Sequence, residues 1–246
     1  MSAHNPIVLG FLYPGLGVAE DDLSHLLEAL FPDGSVRAQI VETPIDEDAH
    51  TVEALRDLGQ QWRLHAGAEI LRARGAAVAF WACTSGSFVF GWEGAQRQVF
   101  ELERFAGVPS SSTSLAFVQA LRTLDISRVS IAATYPAPVT SCFVTLLADA
   151  GIEVVGVRSN DIMTAADAGT LDAGALEALV QAGEHPDAQA ILVPDTALHT
   201  VRSIPALEAA LGKPVLSANQ VSVWEAMRLA GVRAPGDGST LFAATQ

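Results

Sequence analysis

Short apolar runs alternate with amphipathic stretches along the whole chain. Ile7–Leu12, Arg37–Ile40, Ala77–Trp81, Val129–Ala133, Glu153–Val157, Ala190–Val193 and Pro214–Leu216 are rich in Val, Ile, Ala and Leu. Near-continuous apolar runs of this kind predict strands covered on both faces. Between them, Ala19–Leu30, His50–Arg74, Trp92–Phe105, Ser112–Thr123, Pro138–Asp149, Ala173–Ala182, Ile204–Leu211 and Val221–Leu229 read as helices. The alternation predicts an α/β fold with parallel sheets and helices on their faces.

The pattern also repeats. Ile7-Val8-Leu9-Gly10-Phe11-Leu12-Tyr13-Pro14 resembles Val129-Ser130-Ile131-Ala132-Ala133-Thr134-Tyr135-Pro136, each a strand ending in Tyr-Pro. Ala77–Thr84 resembles Ala190–Thr196, each a buried strand leading to a reactive side chain and a threonine. Gly107-Val108-Pro109 followed by Ser112 and a helix resembles Gly212-Lys213-Pro214 followed by Ser217 and a helix. Three matches in the same order imply a duplication into two pseudo-symmetric Rossmann-like halves. The division predicted is residues 1–108 plus 215–246 for the first half and 109–214 for the second. In open α/β sheets ligands bind beyond the carboxyl ends of the strands. Two halves facing across those ends share one cleft, with Cys83 and Asp195 as opposed partners.

Charge and composition narrow the partners. The 246 residues carry 14 Lys and Arg against 28 Asp and Glu, a formal charge of −14. That balance argues against nucleic acid and against an anionic membrane surface. No apolar run reaches the length of a membrane span, and the start of the chain does not read as a signal peptide. A cytoplasmic setting follows, in which the two cysteines, Cys83 and Cys142, are reduced. The six histidines are dispersed, and no spacing suits a metal. No nucleotide fingerprint competes for the cleft, so catalysis with no cofactor is the simpler reading. The expected partner is a small carboxylate, with a homo-oligomer left open.

A thiol and a carboxylate on opposite sides of a bound carbon suit proton transfer at that carbon, and a thiolate also adds to activated alkenes. Backbone N–H groups at a helix start, with the Thr84 and Ser85 hydroxyls, can hold a carboxylate or enolate oxygen. A helix start against Cys83 is expected to lower its pKa. Tyr135 can donate to the same oxyanion. Blander readings stand beside these: Cys83 as a core thiol, Asp195 as a helix N-cap, Tyr135-Pro136 and Tyr13-Pro14 as plain strand ends. His199 is read as sitting on a surface helix, Cys142 as core and Asp46-Glu47-Asp48 as a solvated helix start. Phe88, Leu198 and Val201 are expected near the pocket wall.

The stretches Ile191–Leu229 and Pro235–Phe242, with Cys83-Thr84-Ser85, carry a family resemblance. The chain resembles the aspartate/glutamate racemase superfamily, in the branch of arylmalonate decarboxylase, maleate cis-trans isomerase and the EutA-like proteins of ectoine-utilisation clusters. The resemblance implies two α/β halves, an active site between them, and catalysis without cofactor or metal. It makes Cys83 the first of the two cysteines used by racemases and isomerases, where the decarboxylase has glycine. The second cysteine position falls on Asp195, or on Pro194 if shifted by one. It further implies substrate-binding roles for Pro14 and Gly15 in the first loop, for Thr84, Ser85 and Tyr135, and more loosely for Asn160. Tyr13 and Thr196 complete the expected lining. Cofactor-independent isomerisation or racemisation of a small carboxylic or dicarboxylic acid is the first expectation. The alternatives are decarboxylation of a malonate-type acid with Cys83 as proton donor, and a non-catalytic ligand-binding relative.

Overall fold

The computed structural model describes residues 5–233 and 235–244. The strands are β1 (Ile7–Pro14), β2 (Val36–Thr43), β3 (Val78–Trp81), β4 (Ser110–Ser112), β5 (Arg128–Ala133), β6 (Glu153–Ser159), β7 (Ala190–Val193) and β8 (Val215–Ser217). The helices are α1 (Asp21–Leu30), α2 (Val52–Leu58), α3 (Gln61–Ala73), α4 (Ser85–Phe88), α5 (Gly91–Ala106) and α6 (Thr113–Thr123). Those that follow are α7 (Ala137–Asp149), α8 (Ala165–Gly169), α9 (Ala173–Ala182), α10 (Ile204–Leu211), α11 (Ala218–Leu229) and α12 (Thr240–Ala243). Among the described residues no helix is long and apolar enough to cross a membrane.

Two four-stranded parallel sheets have the same order, β2-β1-β3-β4 and β6-β5-β7-β8. The α/β class and the two similar halves are as the sequence predicts. Strand pairing sets the equivalences between them. Trp81 pairs with Ser112, and Val193 with Ser217. Trp81 therefore corresponds to Val193, and Cys83 to Asp195; Pro194 corresponds to Ala82. The first strands are corrected by the same logic. Leu9 pairs with Val78 and Val129 with Ala190, so the counterpart of Tyr13 is Ala133. The match of Tyr13 to Tyr135 is two residues out of register, because identical Tyr-Pro letters do not fix pairing while backbone hydrogen bonds do.

The division at residues 109 and 215 cuts each sheet before its last strand, since β4 belongs to the first sheet and β8 to the second. Helix α11 then packs on α1, α6, β3 and β4, across from the sheet that precedes it. Gly107 and Gly212, at equivalent places, end α5 and α10 with left-handed backbone, φ 70° and 64°. That conformation suits glycine and turns each chain sharply into its edge strand.

One apolar cluster runs through both halves, from Leu9, Phe11 and Phe80 to Val129, Ile131 and Leu192. Phe88, Tyr135, Phe143 and Phe117 form an aromatic chain within it, with ring centroids 5.3–5.7 Å apart. Such pairs add about 0.5–1.5 kcal/mol each beyond the area they bury.

Candidate active site

Cys83 stands where the first sheet gives out. All four residues of β3 are buried, the chain leaves the sheet at Ala82, and the single turn α4 follows. Gly86 N–H donates to Cys83 Sγ at 3.3 Å, and Ser85 Oγ lies 3.8 Å from the sulfur. Several bonds hold this loop from behind. Ser114 Oγ donates to Thr84 O at 2.8 Å, and Ser87 Oγ lies 3.0 Å from Ser112 Oγ. Gln98 Nε2 donates to Gly86 O at 2.9 Å and to Gly59 O at 2.7 Å.

These donors do not lower the thiol's pKa below its ordinary value. Burial pushes Cys83 up to about 11, and the Gly86 N–H and Ser85 hydroxyl offset only part of that. The expected lowering fails because α4 is one turn long while the sulfur is almost wholly removed from water. Cys83 therefore rests as a thiol at neutral pH, which makes it a proton donor.

Asp195 occupies the equivalent strand end of the second half and is 3% exposed. Thr134 Oγ1 donates a short hydrogen bond to Asp195 Oδ2, and Ala197 N–H donates to Oδ1 at 2.9 Å. Both carboxylate oxygens are thus engaged as acceptors. No helix follows directly, so Asp195, two residues beyond β7, braces a turn; it is not an N-cap. Tyr13 OH reaches across the cleft to Thr196 O at 2.8 Å, and Tyr135 OH donates to Pro194 O at 3.0 Å. Burial, then the Asp195 and Cys83 charges, push both phenols well above their ordinary pKa.

Tyr13, Pro14, Cys83, Ser85, Asp195 and Thr196 line a common cavity of about 40 Å³, room for about three water molecules. Gly15, Thr84, Tyr135 and Asn160 are not among its lining residues. Tyr135 lies just behind, its hydroxyl on the carbonyl of the residue before Asp195 and its ring on Phe88. Thr84 is fully buried, its carbonyl held by Ser114. Gly15 N–H donates to Thr43 O at 3.0 Å. Asn160 Nδ2 donates to Ala133 O at 2.8 Å, bracing the end of β5.

The rest of the lining differs from expectation. Leu16, Val18, Ile45, Leu55 and Leu58 make the apolar wall; Phe88, Leu198 and Val201 are buried elsewhere in the core. Residues 44–51 form a strap with no helix, and Glu47, Asp48 and His50 from it reach the cavity. Asp48 accepts from Ala165 N–H and Ala166 N–H at 2.8 and 3.0 Å, so it is no solvated helix start. His50 N–H donates to Met163 O, and its Nδ1 lies 2.7 Å from Ile162 O. Nothing in the sequence marked this strap, because its partners lie more than 100 residues away. His199 sits in a turn, half exposed, 3.6 Å from both Asp21 and Asp22 carboxylates. Cys142 is a free, half-buried thiol on α7, packed against the edge of the core. Among the described residues no cluster of three or more His, Cys, Asp or Glu is placed to hold a metal.

A family model described as arylmalonate decarboxylase matches residues 60–242. The chain belongs to the arylmalonate decarboxylase family. It is 34% identical over 163 residues to arylmalonate decarboxylase of Bordetella bronchiseptica, covering 65% of this chain and 68% of that protein. A liganded arylmalonate decarboxylase double mutant, with one glycine changed to cysteine and one cysteine to serine, superposes with a TM-score of 0.82. Its identity is 28%, with 97% of this chain and 99% of that one covered. The maleate isomerase of Pseudomonas putida S16, as a cysteine-to-alanine variant with maleate, superposes with a TM-score of 0.88. At 21% identity and 98% coverage of both chains, this match shows a shared fold. Family membership, with decarboxylases as the relatives that carry it, places the chain among enzymes.

Proposed function

We propose that this enzyme decarboxylates a malonate-type acid without a cofactor and that Cys83 delivers the proton to the resulting enediolate. The observation that carries this reading is the Cys83 thiol itself, protonated by burial and facing the cavity. Family membership supports it, as does the decarboxylase variant that carries an introduced cysteine. One substrate carboxylate would be held by the Ser85 hydroxyl and backbone N–H groups of the Cys83 loop. The other would lie against Leu16, Val18, Ile45, Leu55 and Leu58, where a carboxylate is poorly solvated and loss of neutral carbon dioxide is favoured. The C–C electron pair becomes the enediolate, the S–H proton moves to Cα, and the thiolate regains a proton from water.

A second reading, isomerase or racemase, is favoured by one feature. Strand pairing makes Asp195 the counterpart of Cys83, and an acceptor opposite a donor is what two-way exchange at Cα needs. One experiment separates the two. The protein is incubated in D₂O with phenylmalonate, maleate and amino acids and followed by NMR. Carbon dioxide with one deuterium at Cα supports decarboxylation. Deuterium at Cα without carbon loss, or fumarate from maleate, overturns it in favour of the second reading. Cys83→Ser is expected to abolish turnover while the protein stays folded; retained turnover would remove the thiol from the mechanism.

A further inference from the structure

The two loops that carry Cys83 and Asp195 are held in different ways. The Cys83 loop is braced from behind by Gln98 on α5, Ser112 on β4 and Ser114 on α6, which follow it closely in sequence. The Asp195 loop, residues 195–201, is tied across the cleft to the first half. Asp22, on α1, is the centre of that tie. Its Oδ2 accepts from Thr200 N–H at 2.7 Å, Val201 N–H at 3.3 Å and Asn219 Nδ2 at 3.4 Å. Its Oδ1 lies 3.6 Å from His199 Nδ1. Asn219 Nδ2 in turn lies 3.1 Å from both Thr196 O and Leu198 O. Asp22 is 4% exposed, and among the described residues no Lys or Arg pairs with it. A buried carboxylate held by backbone and amide donors, with the half-exposed His199 ring beside it, costs free energy unless those donors stay in place, so they tie the loop to α1.

We propose that Asp22 is a positioning residue for the reaction: it sets where Asp195 stands relative to Cys83 by pinning the 195–201 loop to the first half. The inference rests on the second reading above, in which Asp195 takes part in proton exchange at Cα. Loop displacements of about 1 Å can cost about 100-fold in rate. Asp22→Asn keeps the volume and removes the charge, so the Thr200 and Val201 N–H groups exchange a charged acceptor for a weaker amide oxygen. We expect kcat to fall about 10–100-fold with KM changed far less.

A double-mutant cycle distinguishes positioning from general weakening. In an Asp195→Asn background, Asp22→Asn is expected to change kcat less than about twofold, since its effect passes through Asp195. Full additivity of the two losses overturns the proposal. A readout independent of turnover is amide hydrogen exchange of the 196–201 peptide by mass spectrometry. Exchange at Thr200 and Val201 is expected to speed up in Asp22→Asn; unchanged exchange overturns the anchoring. Full activity of Asp195→Asn alone would instead sink the role of Asp195, which marks failure of the functional reading and not of the tie. If Asp22→Asn does not melt cooperatively, Asn219→Ser removes the amide donor to Thr196 and Leu198 and is put through the same cycle and exchange measurement, with the same expectations.

Discussion

The protonation of Cys83 is the sharpest point on which the mechanism can be tested. Burial moves its pKa from the ordinary 9.0 to about 11. At pH 7.5 a thiol of pKa 9.0 is ~3% thiolate and one of pKa about 11 is ~0.03%. Alkylation by iodoacetamide should therefore be ~100-fold slower than for a free-cysteine peptide from ionisation alone, a difference of about 2.7 kcal/mol. Limited access to the cavity slows it further. Half-buried Cys142 on α7 serves as an internal reference for the same protein sample. The assay is timed labelling, with the two cysteine peptides quantified by mass spectrometry at several pH values. Cys83 labelling should rise about tenfold per pH unit up to about 11. Turnover should behave in the opposite way, because an acid must hold its proton. It should stay level from neutral pH to about 10 and fall as pH passes about 11. Cys83 labelling faster than the free peptide at pH 7.5, or turnover rising tenfold per pH unit, would mean that thiolate is the working form. Either result refutes the proton-donor role.

Three further outcomes are expected. The folded-state pKa of Cys83 is raised, so its neutral thiol favours folding fully below about pH 9, and that contribution is lost as pH rises through about 11. The alkaline fall in thermal stability should shrink in Cys83→Ser, and an identical fall in both proteins would contradict the assignment. Gly59→Ala would place a Cβ 2.0 Å from Gly86 O, forcing the turn behind Cys83 to move. A loss of about 1–3 kcal/mol is expected in denaturant unfolding, with lower turnover; an unchanged midpoint would rule out the close approach. Asp195→Asn should lower kcat more than His199→Ala does, since only the former side chain lines the cavity; the reverse order in steady-state assays would displace Asp195 from the site.

How far the chain could be read in advance follows from the range of the interactions involved. Strands such as Ala190–Val193 and helices such as Ala173–Ala182 were legible because their signals are local: apolar runs, and an Asp172 cap whose carboxylate accepts from Ala175 N–H at 2.8 Å. Strand β4 is three serines with no apolar signal, and it forms because β3 offers it a ladder. The helix predicted over His50–Arg74 divides because Gly59 must lie against Gly86 O and because residues 44–51 are drawn onto residues 162–166. Neither constraint is visible within a window of sequence.

For the site, the letters by themselves determined the two-half α/β plan, Cys83 at a strand end and a polar partner at Asp195. A strand followed by small polar residues and a repeated pattern are local features, and local features survive in one dimension. Only the tertiary structure decided what the thiol is. Its pKa depends on how much water the packed residues around it remove, and no spacing of residues encodes that. The same is true of the Asp22 tie. A carboxylate at residue 22 meets amides at residues 200 and 201 only after two sheets have closed on each other. Burial and contact at that range are properties of the packed molecule, and they turn a reactive-looking cysteine into a buried acid.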